Sequence, residues 1–227
     1  MSYYPGYGYR EFIHYDLKSE AYRYLATAFI LSSITVGLML ILDVPIILYY
    51  IGTFGELIII GILFFAALFG SDFSESTATI LLYSFAICSS ITLSLLIGVG
   101  LAIDPLIVVG AVGVTSIVVL LAYFFSGKTY ARIGQLSKIA VILVIFFLIT
   151  SLFGLFMTSA DPVFYFFISC FGAVIFSIYM FIDFARLENK AFSSPALMAL
   201  WLFYDIIYLL KELLMIFIYL FGGSRRD

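Results

Sequence analysis

The sequence predicts an all-α membrane protein, a seven-transmembrane-helix bundle with its last helix central and its N-terminus cytoplasmic. Composition is the first observation behind this prediction. Hydrophobic residues make up 64% of the 227 residues and charged residues only 11%, with a mean hydropathy of +1.19. Soluble domains are about 45–50% apolar and about 25% charged. The formal net charge of −3 gives no indication of a nucleic-acid partner.

The second observation is the number of long apolar runs, since a spanning helix needs about 20 mainly apolar residues. Seven runs qualify: Ala21–Leu42, Val44–Phe69, Thr77–Ile103, Pro105–Phe125, Ile139–Met157, Pro162–Asp183 and Ala196–Phe221. Asp-Pro pairs at 104–105 and 161–162 each supply a capping residue and a first-turn proline. We expect a polar tail over residues 1–20, either loose or at the headgroup level, and one transmembrane domain over residues 21–222.

The third observation is the asymmetry of basic residues. With seven spans, the N-terminus and the even-numbered loops lie on one side, which holds eight basic residues: Arg10, Lys18, Arg23, Lys128, Arg132, Lys138, Arg186 and Lys190. The opposite side has only Arg225 and Arg226, at the C-terminus. Because cytoplasmic segments are enriched in Lys and Arg, the N-terminus is predicted to be cytoplasmic.

Small residues are frequent in the third and fourth spans, where they favour close helix packing in lipid. They are Ser89, Ser90, Gly98, Gly100, Gly110 and Gly113. Cys88 and Cys170 lie in apolar runs, so we expect small buried side chains there, without a disulfide or a metal. We expect neither enzymatic activity nor an organic cofactor.

Two aspartates near the end of the chain can meet if the sixth helix is long enough. Asp205 lies roughly 13 Å from the cytoplasmic start of the last span, and Asp183 ends the sixth apolar run on the same side. A short hairpin joins these spans, which makes them antiparallel neighbours. If the sixth helix extends past Asp183, the two carboxyls become level and could share a proton or hold a divalent cation. The alternative is two unrelated residues, a boundary acid and a separately bonded Asp205.

Three other charges lie within predicted spans. Glu56 is roughly 18 Å from the outer start of the second span, and Lys211 roughly 15 Å from the outer end of the seventh. Their matched depths predict an ion pair. Glu212 follows Asp205 by seven residues and therefore lies on nearly the same helix face. Because lipid disfavours charged side chains, we expect the last span to lie inside the bundle, with Glu56, Lys211 and Glu212 along an ion pathway.

The C-terminal stretch resembles a known family. Residues 172–222 read GAVIFSIYMFIDFARLENKAFSSPALMALWLFYDIIYLLKELLMIFIYLFG. They contain G-x-x-x-F-S-x-Y-x-x-x-D in the sixth span, a polar hairpin, and A-L-x-L-F-x-D in the seventh. This pattern is similar to the C-terminal region of the Bax inhibitor family, the transmembrane Bax inhibitor motif proteins, in a bacterial or archaeal form. Seven spans and the chain length agree with that resemblance.

The resemblance implies a pH-sensitive calcium leak across the membrane. It implies that Asp183 and Asp205 are the family's paired aspartates, acting as pH sensor and gate and as a possible calcium site, and that Glu56 matches an acid of the second helix. One feature departs from the family. The inner half of the second span has no Lys or Arg to hold the aspartate pair, so Arg186 or Arg132 would have to take that role.

The sequence is also compatible with functions other than a leak channel. A non-conducting regulatory protein of cell death or stress and a proton-coupled carrier both stay open. A rhodopsin-like photoreceptor is disfavoured for two reasons. Asp205 and Lys211 are six residues apart instead of the four typical of that family, and Trp201 is the single tryptophan where a retinal pocket would use several. We expect the lipid bilayer, calcium ions and protons as partners and the cell membrane of a prokaryote as the location. A monomer is compatible with the sequence.

Overall fold

The computed structural model describes residues 7–42, 44–69, 73–129, 142–143, 162–189, 191–192 and 194–222. In these residues the protein is helical and contains no strand. The long helices are α1 (Tyr7–Ile41), α2 (Ile46–Phe69), α3 (Glu75–Ile103), α4 (Pro105–Thr129), α5 (Pro162–Glu188) and α6 (Pro195–Gly222). The prediction of an all-α fold is therefore confirmed. Helices α5 and α6 correspond to the sixth and seventh predicted spans.

Most helix boundaries lie close to the predicted ones, and proline opens three of the helices. At the turn between α3 and α4, Asp104 ends one helix and caps the next. Its backbone N–H donates to Gly100 O, and its Oδ1 accepts the Leu106 N–H at 2.9 Å. The largest difference is at the N-terminus, where α1 begins at Tyr7, within the stretch predicted as a tail.

Five of the described helices are long and apolar enough to cross a membrane. They are the segments Leu17–Ile41, Ile46–Phe65, Glu75–Ile103, Pro105–Gly127 and Val163–Glu188. Helix α6 is similar in length to these five segments but differs from them in that Asp205, Lys211 and Glu212 lie near its middle. The protein is thus an integral multi-pass membrane protein by length and composition of its helices.

Helix α6 lies at the centre of the bundle, as its charges predict. It packs against α1, α3, α4 and α5, whereas the main contact of α2 is with α3 alone. Its buried residues run from Pro195 to Leu214. The helix that lipid would tolerate least is therefore shielded by its neighbours.

Helices α4 and α5 run in the same direction. The start of α4 lies beside the end of α6, where Gly110 contacts the Phe217 ring, and the rings of Tyr123 and Phe184 near the ends of α4 and α5 are 6.1 Å apart. The chain therefore leaves α4 at one end of the bundle and enters α5 at the other end. A further span between α4 and α5 would connect these two ends. The predicted fifth span lies outside the described residues except for 142–143, so the seven-span count and the orientation stay predictions.

One end of the bundle, here called the inner end, holds the start of α3 and α6 and the last residues of α5. Lys18 Nζ on α1 lies 2.6 Å from Glu188 Oε2 at the end of α5. The Tyr22 hydroxyl donates to Glu188 Oε1 at 3.2 Å. These contacts attach α1 to α5 at the end that the basic residues predict to be cytoplasmic.

Two glycines let α2 approach α3 closely. A Cβ placed on Gly52 would lie 2.8 Å from Ile91 Cγ2, and one on Gly55 would lie 2.6 Å from Cys88 Sγ. Of the glycines predicted to favour close packing, Gly100 and Gly110 also lie against a neighbouring helix, since an added Cβ would meet side chains there. Gly113 has none within 4 Å.

We expect Gly52→Ala to lower the free energy of unfolding by about 1–3 kcal/mol, because α2 must move away from α3 to accept the methyl group. The added Cβ would lie 2.9 Å from Ile91 Cβ and 3.2 Å from the Cys88 carbonyl oxygen, atoms that cannot rotate away. Gly61→Ala is the matched control in the same helix, since a Cβ there meets nothing within 4 Å. Thermal unfolding of both variants in detergent measures the difference, and equal stabilities of the two variants would refute close packing at Gly52.

Candidate functional site

Asp183 and Asp205 lie together in the interior of the inner half of the bundle. Helix α5 continues five residues past Asp183 to Glu188, which draws Asp183 inward to the level of Asp205. The two residues are only 3% and 2% exposed, and their carboxyl groups lie close enough to interact directly. The structure therefore places the two aspartates side by side, at the contact between α5 and α6.

Arg186 is the base beside this pair. Its Nη1 lies 3.1 Å from Asp183 Oδ1, one helical turn along α5. The Arg186 side chain is 40% exposed, so it extends from the buried carboxylate toward the inner surface. Arg132, the other base considered from the sequence, lies outside the described residues. Of the two bases considered, Arg186 is therefore the one that the structure places in contact with the pair.

Asp205 faces its partner with an unsatisfied oxygen. Its Oδ2 is buried and has no donor in the part of the chain that the structure describes. A buried carboxylate oxygen without a donor is costly, and two carboxylates side by side repel each other. One proton between the two carboxyls removes both problems. With that proton, the charges of the two aspartates and Arg186 sum to zero.

The second polar site lies at mid-depth, between α2, α3 and α6. Lys211 Nζ is 2.5 Å from Glu56 Oε1, and both side chains are almost fully buried. Thr92 Oγ1 accepts from Lys211 Nζ at 2.7 Å and donates to Glu56 Oε2 at 2.8 Å. The Lys211 ammonium also lies 4.9 Å from the centre of the Tyr208 ring. The ion pair predicted from matched depths is confirmed, while its place in an ion pathway stays a prediction.

Glu212 is directed elsewhere. Its carboxylate interacts with Ser169, near the start of α5, whereas the neighbouring Lys211 contacts α2 and α3. Asp205 and Glu212 therefore both face α5, at two depths, as their seven-residue spacing predicts. Cys88 and Cys170 are free thiols of intermediate exposure.

An aromatic cluster, which the sequence reasoning missed, lies between the two polar sites. It comprises Phe85 of α3, Phe176 of α5, and Tyr204 and Tyr208 of α6. Ring centres are 4.6 Å apart for Tyr204 and Tyr208, 5.1 Å for Phe176 and Tyr208, and 5.5 Å for Phe85 and Tyr204. The spacing of the two tyrosines by four residues, on either side of Asp205, is the signal that could have indicated it.

Calcium binding at the aspartate pair stays a prediction. Calcium takes six to eight oxygen ligands, and within the described ranges no group of three or more Asp, Glu, His or Cys side chains comes together. Asp183 is in contact with Arg186. The pair could offer both carboxylates to a cation only after Arg186 moved away and with both carboxyl groups deprotonated.

Comparison with known proteins gives the same family that the C-terminal motifs indicate. A family model described as "Inhibitor of apoptosis-promoting Bax1" matches residues 12–224. An uncharacterized protein of Helicobacter pylori strain 26695 is 30% identical over 155 residues, and one of strain J99 is 30% identical over 154 residues. In both cases the match covers 66% of this chain and 66% of the relative.

Proposed function

Because the chain belongs to the Bax inhibitor family, we propose that it is a pH-sensitive calcium leak channel gated by Asp183 and Asp205. The observation that carries the proposal is the buried contact of these two carboxyl groups, with an Asp205 oxygen that has no donor among the described residues. Acidic residues in transmembrane helices commonly mark ion pathways and proton relays. The proposed location is the cell membrane of a prokaryote, with the N-terminus in the cytoplasm.

The proposed gate is the protonation state of the pair. With one shared proton, the carboxyls attract each other across the contact between α5 and α6, and the site is neutral with Arg186. A change in the number of protons leaves a net charge in the protein interior, where charge is costly. Packed helices respond to such a change by switching between discrete arrangements. The contact between α5 and α6 is the element that would switch.

In the proposed closed state, the aromatic cluster is the barrier to ions. It lies between the aspartate pair and the Glu56–Lys211 site, and its members come from three helices. Phe85 and Phe176 are 0% and 3% exposed, so the rings fill the space between the two polar sites. Hydrophobic constrictions block ions by excluding water. A rearrangement at the pair would have to displace Tyr204 and Tyr208, which flank Asp205 on the same helix.

Calcium entry into liposomes that contain only the purified protein tests the proposal. A trapped calcium indicator is followed at equal pH on both sides, from about pH 5 to 8, beside protein-free liposomes. We expect entry whose rate changes at least roughly fivefold across this range, since one titrating proton changes its bound-to-free ratio tenfold per pH unit. The same vesicles with an imposed proton gradient form the second arm.

The two alternatives give different results. A regulatory protein that does not conduct would show no calcium entry above protein-free liposomes at any pH. A proton-coupled carrier would move calcium against its own concentration gradient when a proton gradient is imposed, which a leak channel cannot do. Either result would overturn the leak channel. Calcium entry at equal pH that does not vary between about pH 5 and 8 would retain a leak but remove the pH gate.

A further inference from the structure

Glu75, the first residue of α3, contacts the start of the central helix. Its Oε2 accepts the Ser194 hydroxyl at 2.5 Å, and its Oε1 accepts the Ala196 backbone N–H at 2.9 Å. Ser194 in turn accepts the Leu197 N–H at 3.1 Å through its Oγ. Of the first N–H groups of α6, that of Ala196 is thus satisfied by a residue about 120 positions earlier in the chain, and that of Leu197 by the capping serine.

The charge of Glu75 suits this position. Helices α3 and α6 both begin at the inner end, so their positive N-terminal dipoles lie side by side. A carboxylate is stabilising at a helix N-terminus, and Glu75 lies in the first turn of α3 while bonding to the first turn of α6. One carboxylate therefore offsets the dipoles of two parallel helices.

Helices α3 and α6 keep one register along their contact. Glu75 and Ser194 are separated by 119 residues, Glu75 and Ala196 by 121, and Thr92 and Lys211 again by 119. Offsets of 119 to 121 residues at two depths mean that the two helices run in parallel and in nearly one register. A slide of α6 by one residue, about 1.5 Å, would break both sets of contacts and move Asp205 relative to Asp183.

We infer that Glu75 is a positioning residue for the aspartate pair. It fixes the axial position of α6 at the inner end, and so the alignment of Asp205 with Asp183 on α5. Asp205 lies nine residues, or about 14 Å, beyond Ala196 along a continuous helix. The inference rests on the proposed function only where calcium flux is its readout; the position of α6 is measurable without it.

The test uses Glu75→Ala and Glu75→Gln, with Glu188→Gln as the control. Glu188 is another carboxylate of the inner end, but it bonds to α1 instead of α6. Hydrogen exchange of the peptide that contains Ala196 and Leu197 reports the start of α6. Spin labels at the exposed positions Val174 of α5 and Leu220 of α6 report the axial position of α6. Calcium entry over the pH series reports the gate.

For Glu75→Ala we expect exchange at the start of α6 to be roughly tenfold faster, because a charge-assisted hydrogen bond is lost. The label distance should change by about 1.5 Å, the rise of one residue, and the midpoint of the pH profile by at least about half a unit. Glu75→Gln keeps an acceptor for the Ala196 N–H, so its exchange and distance should lie closer to the parent protein. Glu188→Gln should leave all three readouts unchanged.

Three outcomes would overturn the inference. In the first, Glu75→Ala speeds exchange but leaves the label distance and the pH midpoint unchanged, which reduces Glu75 to a local cap. In the second, Glu188→Gln changes the readouts as much as Glu75→Ala does, which indicates a general effect of inner-end charge. In the third, Glu75→Ala changes none of them. If the parent protein shows no pH-dependent flux while Glu75→Ala still moves α6, the gate fails and the positioning role stands.

Discussion

Replacing Lys211 by methionine should lower the free energy of unfolding by about 3–5 kcal/mol, because it leaves the Glu56 carboxylate buried without its counter-charge. Glu56 is 4% exposed, and neutral groups such as the Thr92 hydroxyl would remain beside it. Methionine keeps much of the volume of the lysine stem, so packing against Tyr208 changes little. Unfolding in detergent, followed by helical circular dichroism, gives the difference.

The double variant Glu56→Gln with Lys211→Met separates the ion pair from general disruption. Removing both charges leaves no unpaired ion, and we expect the double variant to be clearly more stable than either single variant. The Glu212→Gln variant is the control, since it removes an adjacent charge that bonds to Ser169 instead. Additive losses in the double variant would mean that the 2.5 Å contact contributes no coupling energy.

Neutralising either aspartate should abolish the pH dependence of calcium entry. In Asp205→Asn, the amide can donate permanently to the Asp183 carboxylate and so imitates the state with one shared proton. In Asp183→Asn the new amide at position 183 can donate to the Asp205 carboxylate, while Arg186 loses its carboxylate partner. We expect flux in each variant to be held at one level between about pH 5 and 8, the range over which a buried carboxyl pair can titrate.

The Glu188→Gln variant is the control for this experiment as well. It removes an acid from the end of α5, five residues from Asp183, without touching the pair. Its pH profile should follow that of the parent protein. A pH dependence that persists unchanged in both aspartate variants would place the titrating group elsewhere and leave Asp183 and Asp205 as structural residues.

The sequence was sufficient for the features that depend on helix length and depth. Apolar runs predicted the helices, and prolines at 105 and 162 marked two of their starts. Depth along ideal helices brought Glu56 to the level of Lys211, because a rise of 1.5 Å per residue holds for any straight helix. Charge in the last span predicted its central position. The sequence left open whether Asp183 and Asp205 meet, because this depends on how far α5 continues past Asp183.

The features missed from the sequence depend on which faces of two helices meet. The depth argument gives the level of Phe85 and Phe176 but not the rotation of their helices toward Tyr208. Gly52 and Gly55 were not distinguished because close packing depends on the partner, here Cys88 and Ile91. The sequence does not single out Glu75, since nothing in residues 71–76 indicates the Ser194 hydroxyl that it meets.

The most direct test of the proposed gate measures the shared proton itself. The infrared carbonyl band of a protonated carboxyl group, recorded between about pH 5 and 8, is assigned to the pair by its loss in Asp183→Asn and in Asp205→Asn. The proposed gate predicts one such proton per molecule, with a titration midpoint that coincides with the midpoint of calcium entry. A pair that stays in one protonation state while calcium entry changes with pH would contradict it.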